Sequence, residues 1–77
     1  MNREYKTEKW LQTQAKTLET KCLKKHKKSY SFCTYMRMLI TDAVIYTDEK
    51  GYMLDMDKYK ENKKEIIKKY LDKPMEG

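Results

Sequence analysis

The sequence predicts a mainly α-helical single domain. A long N-terminal helix and a second helix form an antiparallel hairpin, a short β-hairpin turns around Gly51, and a third helix closes the chain. Three observations carry this. Phe32, Tyr35, Met36, Leu39, Ile40, Ala43 and Val44 recur at i, i+3, i+4 and i+7, the signature of an amphipathic helix with one wide apolar face. Leu11, Ala15, Leu18 and Cys22 follow at steps of four, three and four, a narrower stripe of the same period. Gly51 stands between two short β-branched and aromatic runs, Val44-Ile45-Tyr46 and Tyr52-Met53-Leu54.

The first helix is expected from about Arg3 to about Lys25, since no Gly or Pro interrupts it. Trp10 and Leu23 widen its stripe, while Gln12, Gln14, Lys16, Glu19 and Lys21 cover its other faces. The chain then turns through Lys27-Lys28-Ser29-Tyr30, and Ser29 or Ser31 offers an oxygen to cap the second helix. That helix should end by about Ile45. In the following turn Gly51 is expected to supply a positive φ. The alternative is a glycine-capped helix end followed by an extended linker. The third helix starts after Asp55 or Asp57, with Met56, Tyr59, Lys63, Ile66, Ile67 and Tyr70 on its inner stripe and Leu71 beside it. Lys60, Glu61, Lys64, Glu65, Lys68 and Lys69 should face out, Glu65 and Lys69 as an i, i+4 pair. Pro74 stops the helix, and residues 74–77 should fray. Leu18, Phe32, Met36, Leu39, Ile40, Val44, Ile66 and Ile67 are the expected core.

With 77 residues the chain supports one domain, 1–77. A domain this small buries only about 60% of its unfolded surface, so partners or cross-links often reinforce it. Charged and apolar residues each make up 39%, too periodic for disorder and too polar for a membrane span. Two cysteines are few for a disulfide scaffold, and no signal-peptide core follows Met1. The chain therefore reads as cytoplasmic, with free thiols and no membrane partner. Its abundance of Lys, Tyr and Ile suits a phage or mobile element of a low-GC bacterium.

The net charge of +6 is uneven: +6 over residues 1–31, −3 over 32–57 and +3 over 58–77. Lys21, Lys24, Lys25, Lys27 and Lys28 form a tract with no acid among them, and His26 lies inside it. Such a tract is an electrostatic footprint for nucleic acid. A solvated helix C-terminus in a lysine-rich chain would look the same. Tyr30 follows the tract and could stack on a base, and Arg37 adds a cation on the second helix.

The sequence offers little for catalysis. No nucleophile motif or phosphate-binding glycine loop stands in it, and the single His lies among lysines that should keep it exposed. The expectation is a protein that is not an enzyme and takes no cofactor. Cys22 and His26 share a helix face, and Cys33 could approach them across the turn, but a structural zinc wants a fourth ligand. No family motif is recognisable. The order long helix, helix, hairpin, helix is similar to that of small winged-helix and phage-type regulators, and no motif carries function over from them.

Two functions from different classes follow. One is a nucleic-acid-binding regulator using Lys21, Lys24, Lys25, Lys27, Lys28, Tyr30 and Arg37. The other is a protein-interaction module, an adaptor or inhibitor, using the acidic turn at Asp48-Glu49 and the methionines Met38, Met53 and Met56. A homodimer is also expected, because a helix starting at Arg3 would outrun the second helix. Tyr5, Trp10 and Leu11 would then need a neighbour from a second copy.

Overall fold

The computed structural model describes residues 2–73. Three strands and three helices follow in the order β1 (Arg3–Thr7), α1 (Glu8–His26), α2 (Phe32–Ile40), β2 (Val44–Thr47), β3 (Gly51–Asp55) and α3 (Met56–Ile66). A single π-helical turn, Ile67–Leu71, extends α3, and the Asp72 amide donates to the Ile67 carbonyl at 2.8 Å. The mainly helical plan, the Gly51 hairpin and the C-terminal helix stand as the sequence predicts. Pro74 and the expected fraying of 74–77 lie outside the described residues.

The main departure is at the N-terminus. Residues 3–7 are a strand, and α1 begins only at Glu8. β1 pairs antiparallel with β3 from Arg3↔Asp55 to Thr7↔Gly51, so the hairpin becomes a three-stranded sheet in the order β1-β3-β2. The ladder is closed at both ends: the Met56 amide donates to the Asn2 carbonyl at 2.7 Å, and the Glu8 amide donates to the Lys50 carbonyl at 3.2 Å. Pairing with a distant strand overrides the weak local preference of Glu and Lys for helix. Thr7 then marks the boundary, its Oγ1 accepting from the Trp10 amide at 3.1 Å.

This strand changes what the first helix needs. Trp10 packs on Tyr59 with ring centroids 5.5 Å apart, and the Lys6 ammonium lies 4.6 Å from the Trp10 ring. Leu11 is fully buried. For Trp10 and Leu11 the cover expected from a second copy is supplied within the chain, so these two no longer argue for a dimer, while Tyr5 stays exposed.

α2 ends at Ile40 rather than near Ile45. Asp42 turns left-handed at φ 58, and the Thr41 hydroxyl bonds back to the Arg37 carbonyl at 2.9 Å. Asp tolerates that conformation better than most residues. At the other end Ser31 occupies the cap position, but its hydroxyl pairs with Thr34 Oγ1. The Phe32 amide donates instead to Glu19 Oε2 on α1 at 3.1 Å. Because α2 is short and packs on both α1 and α3, Tyr35 and Leu39 form its buried line.

The core comprises Leu11, Ala15, Leu18, Cys22, Tyr35, Leu39, Ala43, Leu54, Met56, Tyr59, Ile66 and Leu71. Of the residues expected to be most buried, Leu18, Leu39 and Ile66 are. Phe32, Met36, Ile40, Val44 and Ile67 form a half-buried collar around it. Met56 belongs to the core and not to a methionine-rich surface, because Asp55 caps α3 and directs the first turn inward. Asp55 Oδ1 accepts from the Asp57 and Lys58 amides at 3.1 and 3.3 Å.

Gly51 is needed for a different reason than expected. It lies in extended backbone within β3, outside the left-handed region. A Cβ there would stand 2.7 Å from the Lys6 carbonyl and 2.5 Å from Tyr5 Cζ, in collision with the phenol end of that side chain. The glycine makes room for an aromatic ring laid across it from the neighbouring strand. Among the described residues no helix is long and apolar enough to cross a membrane.

Candidate nucleic-acid interface

The buried stripe of α1 fixes what its other side presents. Opposite Leu11, Ala15, Leu18 and Cys22 fall Lys9, Thr13, Lys16, Thr17, Thr20 and Lys24, with Lys21 on the flank toward the α3 extension, all exposed. From Thr13 to Lys24 they line one shallow depression along the helix. Two of the threonines fold back on the helix: the Thr13 hydroxyl bonds to the Lys9 carbonyl and the Thr17 hydroxyl to the Thr13 carbonyl, each at 2.9 Å. The lysines beside them are exposed. No carboxylate interrupts this face. Glu8 and Glu19 fall on the flank nearer α2, and Glu19 is held there by the Phe32 amide. The Lys16 ammonium lies 5.0 Å from the Phe32 ring, which steadies its stem.

Toward the C-terminal end the basic surface turns into a cleft of about 140 Å³ between α1 and the α3 extension. Lys21 and Lys25 border it from α1 and Lys63 from α3, with Gln14 and Thr17 above and Leu18, Ile67 and Leu71 at its base. Asp72 is the one acid among its lining residues.

The end of the tract is pinned to the fold. Lys27 caps α1 in the left-handed conformation at φ 65, its amide donating to the Leu23 carbonyl at 2.9 Å. His26 is half-buried rather than exposed, and its Nε2–H donates to the Leu71 carbonyl at 2.6 Å. A carbonyl only accepts, so the proton sits on that nitrogen. Burial places Cys22 Sγ 3.3 Å from both the Lys28 and the Tyr70 carbonyls. Cys22 and His26 thus fasten the tract to the C-terminal segment. Cys33 is exposed, and no three His, Cys, Asp or Glu side chains gather to hold a metal among the described residues.

The residues singled out by sequence therefore separate. Lys21, Lys24 and Lys25 belong to the α1 face and its cleft. Lys27 and Lys28 are exposed where the helix ends. Tyr30 stacks edge-on with Tyr35 and Tyr70, centroids 6.3 and 5.4 Å away, and keeps 41% of its surface exposed. Arg37 is exposed on α2 and lines neither the α1 depression nor the cleft beside it. Lys9, Lys16 and Lys63 were not singled out. The complement of the buried stripe on a helical wheel would have found the first two, but Lys63 joins only through the packing of the α3 extension on α1.

Charge elsewhere differs. The outer face of α3 mixes Asp57, Glu61 and Glu65 with Lys64 and Lys68, and the β2–β3 turn carries Asp48 and Glu49 beside Lys50. Asp48 Oδ1 organises that turn by accepting from the Lys50 and Gly51 amides at 2.9 Å each. Compared with known protein families, curated proteins and solved structures, the chain matches none.

Proposed function

We propose that this protein is a small, non-enzymatic, cytoplasmic nucleic-acid-binding regulator that docks on phosphate backbones through the outward face of α1. The observation that carries the reading is the run of Lys9, Lys16, Lys21 and Lys24 along one helix face without a carboxylate, continued by Lys25 and Lys63 in the adjoining cleft. With the Thr13 and Thr17 hydroxyls engaged with the helix backbone, the lysines dominate the polar contacts on offer, which suits point-charge binding of phosphates rather than reading of base edges. Lys27 and Lys28 extend the same electrostatic field. Arg37 and the acidic β2–β3 turn stand outside it.

Binding should fall steeply with salt. With about five phosphates engaged, log K declines against log salt with a slope near −4.5 on duplex DNA. Changing Lys16, Lys21 and Lys24 to Gln should flatten the slope by about 2.7, at about 0.9 per phosphate contact. Arg37→Gln should leave it unchanged. Absence of binding to single- or double-stranded DNA or RNA at about 50 mM salt would defeat the reading.

A protein-interaction module is the second reading, supported by exposed Ile45 and Tyr46 on β2 next to Asp48 and Glu49. Partner capture that survives nuclease treatment, together with a flat salt response for nucleic acid, would favour it.

A further inference from the structure

We propose that β1 is an association edge for a second copy of this chain, joining two three-stranded sheets into one of six strands. The sheet order leaves β1 and β2 as its two edges. β2 is blunted by the irregularity between Val44 and Tyr46, where Ile45 is left over. β1 is regular over all five residues and carries no proline.

Its hydrogen-bonding direction is set by the ends of the ladder. Asn2 and Glu8 bond to the chain opposite, through the Met56 amide and the Lys50 carbonyl. In an antiparallel pair such residues alternate, so Glu4 and Lys6 also bond toward β3. The amide and carbonyl of Tyr5 and the amide of Thr7 therefore point outward, away from β3. In a second copy laid antiparallel with Tyr5 opposite Tyr5, the two Tyr5 residues exchange amide-to-carbonyl bonds.

The side chains select that register and that occupant. Arg3-Glu4-Tyr5-Lys6-Thr7 is self-complementary when reversed about Tyr5: Glu4 falls opposite Lys6 of the second copy, and Lys6 opposite its Glu4. Within one copy the two already approach to 3.6 Å, so the pairs merge into a four-charge cluster across the axis. On the outer face the cross-strand row Tyr46–Met53–Tyr5 continues into the same row of the second copy. Tyr5 and Tyr46 are 46% and 59% exposed in the single chain, and association covers the former.

Charge reversal on the full chain tests this by analytical ultracentrifugation. The wild type should sediment as a dimer of about twice 9.4 kDa at high concentration. Glu4→Lys and Lys6→Glu should each weaken self-association roughly ten- to thirtyfold, since each places like charges opposite one another twice. Mixing the two variants restores opposite charges at both positions and should recover a mixed dimer, which an unfolded variant could not do. With Cys33→Ser as background, Tyr5→Cys should cross-link copies on oxidation, because directly paired Cα atoms stand about 5.5 Å apart. A wild type that stays at 9.4 kDa, a dimer insensitive to both reversals, or a mixture that stays monomeric would each overturn the proposal.

Discussion

Replacing Tyr59 with Phe should stabilise this protein, although it deletes a polar group from the core. Tyr59 is 3% exposed, and its hydroxyl is buried with no hydrogen-bond partner among the described residues. A buried hydroxyl without a partner costs about 1–3 kcal/mol in lost hydration. Phe keeps the ring, and so keeps the contact with Trp10 at 5.5 Å. Tyr59→Phe should therefore gain about 1 kcal/mol, which raises the midpoint of thermal unfolding by roughly 4–8 °C in a domain of this size. The same burial pushes the Tyr59 phenol up from 10.0 to about 12. The folded state thus holds the proton through a range where the unfolded chain has released it. The stability tied to that proton is fully present below pH 10 and is lost as pH rises from about 10 to about 12, by roughly 1–3 kcal/mol. Urea unfolding across that range should show a steeper alkaline fall in the wild type than in Tyr59→Phe. A variant destabilised by more than about 1 kcal/mol would refute the reasoning, because it would mean that the hydroxyl makes a bond in the native state.

Four other substitutions test the fold. Leu39→Ala should cost about 2–5 kcal/mol in denaturant unfolding, and Ile40→Ala clearly less, because Leu39 is fully buried while Ile40 lies on the half-buried collar. Equal losses would contradict the orientation of α2. Gly51→Ala should cost about 1–3 kcal/mol by crowding Tyr5 and the Lys6 carbonyl. Adding Tyr5→Ala should recover only part of that, since the carbonyl remains. Asp55→Ala should cost about 0.5–2 kcal/mol by uncapping α3, with helical circular dichroism reporting the frayed first turn.

Features that depend on neighbours along the chain are legible in the residues alone. The four-three-four stripe of α1, the apolar face of α2, the strand–turn–strand pattern around Gly51 and the start of α3 at Asp55 or Asp57 are periodicities and caps, and each is carried by residues a turn or two apart. The lysine tract was equally visible. Tertiary structure decided what depends on residues far away. Arg3–Thr7 became a strand because its hydrogen-bond partners lie on β3, some fifty positions on, and no local pattern announces them. That strand and Tyr59 cover Trp10, which a helix read alone leaves bare. Gly51 serves the ring of Tyr5 rather than a turn, and His26 is tied to Leu71 rather than open to water. The basic face also needed three dimensions. A linear tract places Lys21 to Lys28 together, but the helix turns Lys24 and Lys25 to different sides, and packing brings Lys63 to the cleft of Lys21 and Lys25. Periodicity records which side of an element is buried. Only the packed chain fixes what that side meets, because the contacts that decide it are distant in sequence.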